Sequence, residues 1–121
     1  MKRDMELVRD LLFLIESQDS DHNELKIPSE IDREVAVYHL NIMEQAGFTD
    51  NTIQYADNKP MWIYSSLTWD GHDFLDSIKN DTVWNKIKSG VKSKGLELGQ
   101  LSFSVLKEYA KLELKKKLGM E

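Results

Sequence analysis

The side chains here best suited to acid–base or metal chemistry are three histidines and the carboxylates around one of them. His72 stands between Asp70 and Asp73, with Asp76 one turn further on. Carboxylates so placed can orient an imidazole for proton transfer. The plainer reading is a helix N-terminus, where the macrodipole favours acidic residues and His72 makes a structural hydrogen bond. His39, beside Leu40 in a helical stretch, reads as a packing or capping residue, and His22 as a solvated loop residue. No His-Glu-x-x-His spacing places two metal ligands on one helix face. Without cysteine there is no thiol nucleophile, disulfide or Cys-based zinc site. The 6 glycines stand singly, so phosphate finds no Gly-rich cradle, and Ser65-Ser66 lacks the glycines of a nucleophile elbow. The expectation is no enzyme: no catalytic residue, no metal, no cofactor and no small-molecule substrate.

The apolar spacing shows which elements hold these groups. Residues 3–17 predict a helix with acidic Asp4 and Glu6 in its first turn and a stripe of Val8, Leu11, Leu12 and Ile15. Leu7 and Leu14 widen that stripe. Leu25 to Pro28 suits a short edge strand ended by the proline, and Ser29 an N-cap for a turn over Glu30 to Asp32. A second helix runs from about Arg33 to Ala46. Ala36, Leu40 and Met43 share one face of it, and Glu34, Tyr38, Asn41 and Gln45 another. Gly47 suits a left-handed C-cap with Phe48 packing back. Thr52 to Tyr55 and Met61 to Tyr64 alternate as strands, with a hairpin loop of about five residues between them. Thr68 suits the N-cap of the helix that follows.

Beyond it the helical phase breaks. Phe74, Leu75 and Ile78 share an arc that lies opposite Val83, Trp84, Ile87 and Val91 if the helix is continuous. Either the chain breaks near Asn80-Asp81, with Asp81 as a cap, or one helix is packed from both sides. A glycine-containing loop over 92–100 and a last helix over 101–118 follow, with Leu106, Ala110, Leu114 and Leu118 in one row. The division expected is a domain over 1–79 and a helical extension over 80–121.

Charge is uneven. Residues 1–81 hold 7 Lys and Arg against 17 Asp and Glu, a balance of −10, whereas residues 82–121 hold 9 lysines against 4 glutamates, a balance of +5. The strongly basic footprint of an ordinary nucleic-acid-binding domain is missing. The longest apolar run, Leu11 to Ile15, is too short for a bilayer span or a signal-peptide core, so a cytoplasmic protein without membrane contact is expected.

Helix, strand, helix, helix, hairpin resembles the winged form of helix-turn-helix, an α+β, mostly α architecture with a hairpin wing and, here, added C-terminal helices. Val37-Tyr38-His39-Leu40 through Glu44-Gln45-Ala46-Gly47-Phe48, the hairpin, and Leu67 through Leu75 carry the likeness. Many bacterial regulators of this class end the recognition helix in Ala-Gly-Leu or Ala-Gly-Phe and return from the wing into Leu-Thr-x-x-Gly. The longer pattern from Met1-Lys2-Arg3-Asp4-Met5 through Thr68-Trp69-Asp70-Gly71-His72-Asp73-Phe74-Leu75 to Asp81-Thr82-Val83-Trp84 resembles a narrower bacterial and phage family, "domain of unknown function 2513". That resemblance implies a fold and carries no activity with it.

In a winged helix the third helix enters the major groove and the wing meets the backbone. The groove-facing residues would be Arg33, Glu34, Tyr38, Asn41 and Gln45, with Asn and Gln suited to adenine and Arg to guanine. Lys59 on the wing, with Lys2 and Arg3, would meet phosphates of double-stranded DNA. Glu34, Glu44 and the acidic balance oppose this, since phosphate contacts supply most nonspecific affinity. Two functions stand: an accessory DNA-binding regulator of a bacterium or its phage, and a non-catalytic adaptor with the same fold. Val83, Trp84, Ile87 and Val91, mated with Leu106 and Leu114 of the same or a symmetry-related chain, are the expected interaction face, either a lid on the domain or a homodimer interface.

Overall fold

The computed structural model describes residues 1–120. The elements are α1 (Met5–Glu16), α2 (Arg33–Gln45), β1 (Thr49–Ala56), β2 (Lys59–Leu67), α3 (Trp69–Ile78), α4 (Asp81–Ser93), a 3-10 turn (Leu98–Gln100) and α5 (Phe103–Lys117). The class is α+β, mostly helical, with one antiparallel two-stranded sheet among the described residues. Polar side chains start the helices. Asp4 accepts from the backbone N–H groups of Glu6 and Leu7, and Asp32 from those of Glu34 and Val35. Thr68, Asn80 and Ser102 cap α3, α4 and α5. Each such cap contributes about 1 kcal/mol. Helix α2 ends as its glycine suggests: Gly47 takes φ 85°, and the N–H groups of Gly47 and Phe48 reach back to the carbonyls of Glu44 and Met43 at 2.9 Å each.

Helix α1 runs through the centre, packing on α2, β2 and α3. Its Val8, Leu11 and Leu12 join Ala36, Leu40 and Met43 of α2, Ile63 of β2 and Phe74, Leu75 and Ile78 of α3 in one buried cluster. Phe48 stacks on Phe74 at 4.6 Å, and Phe103 at the start of α5 meets Phe48 edge-on at 5.1 Å. The chain does break between α3 and α4, with Asn80 rather than Asp81 as the cap. Val83, Trp84, Ile87 and Val91 are all buried within the chain, where α4 packs on α3, α5 and the 3-10 turn. Burial of each such large apolar side chain contributes roughly 1.5–3 kcal/mol. No helix among the described residues is long and apolar enough to cross a membrane.

Four local expectations need correction. Leu25 to Pro28 forms no strand; a single bond from Leu25 N–H to the Ile63 carbonyl, 2.7 Å, lays it beside β2 before the chain turns at Pro28. Ser29 caps nothing, because the turn closes from Ile31 N–H to Pro28 O and Asp32 takes over the capping of α2. The hairpin loop is only Asp57-Asn58, both at positive φ (53° and 63°), the geometry that matches strand twist in two-residue turns. The strands are correspondingly longer, and a register irregularity at Gln54/Tyr55 leaves Met61 facing no residue across the ladder. Finally, α5 begins at Phe103, and only the inner half of its apolar row is buried: Leu106 and Ala110 are covered, Leu114 is half-buried and Leu118 is exposed. Its last turn is three consecutive lysines, which favour solvent and complement the helix dipole.

Candidate functional site

The hairpin lies against α2, so residues far apart in sequence share one cleft. Arg33, at the first turn of α2, donates from Nε to the Pro60 carbonyl at 2.9 Å and from Nη2 to the Met61 carbonyl at 2.6 Å. Its guanidinium also lies 3.8 Å from the Glu24 carboxylate. The irregular register explains the partner: Met61 has no opposite residue, and arginine's fork supplies donors to the carbonyls there. Arg33, expected to read guanine, ties the helix to the hairpin through these bonds.

Two hollows flank this tie. The larger, of about 730 Å³, is lined by Asp32, Arg33, Glu34, Lys59, Pro60 and Met61. The smaller, of about 270 Å³, is lined by Glu34, Val37, Tyr38, Asn41, Tyr55, Asn58 and Pro60. Tyr38 is held on two sides: its hydroxyl donates to the Met1 carbonyl at 3.1 Å, and its ring meets His39 edge-on at 5.4 Å. Asn41 and Gln45 are exposed on α2, as their face of the helix requires. Lys59 shares its hollow with Asp32 and Glu34. Glu44 accepts from the Asn51 N–H at 2.6 Å, which fastens the end of α2 to β1.

The other expected basic residues lie elsewhere. Arg3 donates to the Gly99 carbonyl at 3.2 Å and sits over the Phe103 ring at 5.8 Å. Lys2 and Arg3 together line a hollow with Gly95, Glu97, Gly99 and Gln100. They are not gathered with Lys59 and Arg33 in one cavity. Tyr55 and Asn58 are the residues that sequence reasoning missed. Both are exposed, and only the tight Asp57-Asn58 turn brings them beside α2.

His39 is buried, with Nε2 accepting from the Asp4 N–H at 2.8 Å and Nδ1 facing the Val35 carbonyl at 2.8 Å. With both ring nitrogens in use, it joins the start of α1 to α2. His72, Asp70, Asp73 and Asp76 are exposed on α3. Among the described residues no three His, Asp or Glu side chains come together as a metal-holding group.

A family model described as "Hypothetical protein (DUF2513)" matches residues 2–97. The chain belongs to this family. The DUF2513 match takes in α1 through α4, and with them the whole α2–hairpin cleft, while α5 lies beyond it. A Haemophilus influenzae protein described as "Uncharacterized protein" is 39% identical over 114 residues, covering 91% of this chain and 92% of the relative. No solved structure matches the chain.

Proposed function

We propose that this DUF2513 protein is a non-catalytic interaction module of winged-helix-like build, and that its α2–hairpin face docks a partner protein and does not read DNA. The winged-helix likeness rests on α2 followed by the hairpin and α3, with α2 in the recognition position and the hairpin as wing; the strand and the short second helix of that pattern are absent between α1 and α2. The bond of Arg33 to the Pro60 and Met61 carbonyls carries the functional reading. It engages two donors of the one arginine of α2, whose side chain stays 38% exposed. The hollow beside it sets Asp32 and Glu34 against Arg33 and Lys59, a balanced charge without the excess of cations that holds phosphates. Exposed Tyr55 and half-buried Tyr38 supply the large, rigid contact area that protein interfaces favour. No dimer is needed to cover Trp84 and its neighbours, which are buried within one chain.

The rival, an accessory DNA-binding regulator, rests on exposed Asn41 and Gln45. Titrating a labelled random-sequence duplex into the full chain separates the two. Docking predicts no saturable binding at roughly 150 mM salt. Binding that weakens in the Asn41→Ala, Gln45→Ala variant would establish the DNA reader and remove the docking reading.

A further inference from the structure

We infer that the smaller α2–hairpin hollow takes a single arginine side chain from the partner protein. This deepens the docking reading and rests on it. The hollow is shallow and open, with a volume of about 270 Å³. It suits one side chain presented by a protein surface. Its lining selects the charge: Tyr38 and Tyr55 bring aromatic rings, and Glu34 brings a carboxylate. Asn41 and Asn58 add amide oxygens that accept hydrogen bonds. Aromatic faces attract cations. No lysine or arginine of the chain lines this hollow; Arg33 and Lys59 line the neighbouring one, which shares Glu34 and Pro60 with it.

The same lining favours guanidinium over ammonium. A planar fork can stack on a tyrosine ring while sharing its five donors among a carboxylate and amide oxygens. An ammonium offers three donors on a compact, strongly hydrated centre. Tyr38 is also fixed in advance by its bond to Met1 and its contact with His39, which lowers the ordering cost of binding.

The experiment is an amide NMR titration of the full chain with N-acetylarginine methylamide, and in parallel with the citrulline and lysine analogues. Citrulline keeps arginine's shape and lacks its charge. The arginine probe should produce saturable shifts at Glu34, Tyr38, Asn41, Tyr55 and Asn58, the citrulline probe none, and the lysine probe weaker ones. Tyr55→Ala should lower the arginine affinity by about two- to five-fold, the worth of an exposed cation–π contact. Glu34→Gln should lower it by a comparable factor. Both residues are exposed, so both variants should keep the wild-type spectrum elsewhere. Equal shifts from citrulline, equal or tighter binding of lysine, saturable shifts centred outside these residues, or no saturable shift at all would each overturn the assignment. The duplex titration fails or succeeds independently. Loss of arginine binding with no DNA binding would remove arginine and leave the docking face, whereas saturable duplex binding would remove the docking reading itself.

Discussion

The Trp84 indole donates from Nε1 to the Glu6 carboxylate at 2.9 Å, joining α4 to the first turn of α1 across 78 positions of sequence. Lys88 Nζ lies 2.9 Å from the same Glu6 oxygen. One acidic residue thus satisfies the polar atom of a buried tryptophan and a lysine one turn along α4.

Breaking this link from either side should leave the other partner worse off, so the effects should not add. Trp84→Phe and Glu6→Ala, alone and combined, should show a coupling of about 0.5–3 kcal/mol by urea unfolding. Additivity within about 0.3–0.5 kcal/mol would mean the bond carries no stability.

Gly71 sits under a close approach of backbone to backbone. A Cβ built there would lie 2.0 Å from the main-chain carbonyl oxygen of Phe48, which cannot swing aside. Gly71→Ala should cost about 1–3 kcal/mol or more through overpacking. Gly90→Ala meets only the tip of the Tyr109 side chain and should cost less. Thermal melts of the two variants check the order, and the reverse order would contradict it.

The helices were legible because their apolar spacing and their caps point the same way. Val8, Leu11, Leu12 and Ile15 mark the inner face of α1, and Asp4 begins it. Gly47 announced the end of α2, and the phase break announced the gap before α4. The hairpin was harder. Pro60 looks like a loop residue, yet it is buried in β2 opposite Tyr55. The turn is Asp57-Asn58, without the glycine that usually marks so short a loop. The site was legible only in part. A helical wheel shows the face from which Arg33 leaves α2, but its partners are carbonyls 27 and 28 residues later, exposed by a register irregularity no periodicity reveals.

Asn41 and Gln45 project from α2 into solvent. Replacing both by alanine should change stability by no more than about 0.5 kcal/mol. A loss of several kcal/mol in denaturant unfolding would show that this face is covered.

Asp10 has a carboxyl held above its ordinary value of 3.8, first by desolvation and then by the nearby Glu6 charge. A raised folded value favours the protonated form. Its contribution to stability is therefore full below the unfolded value and is lost as pH rises through the folded one. Asp10→Asn, which keeps the neutral shape, should raise the melting temperature at pH 7, with the gain fading below pH 3.8. A variant less stable than wild type at neutral pH, or a gain undiminished in acid, would contradict this.

Urea unfolding of Arg33→Ala tests most directly whether the arginine of α2 belongs to the fold or to an outside partner. If its guanidinium ties α2 to the Pro60 and Met61 carbonyls, stability should fall by about 1.5–3 kcal/mol, the range for hydrogen bonds made by a charged group. A change within about 0.5 kcal/mol would leave Arg33 free for DNA and contradict the account.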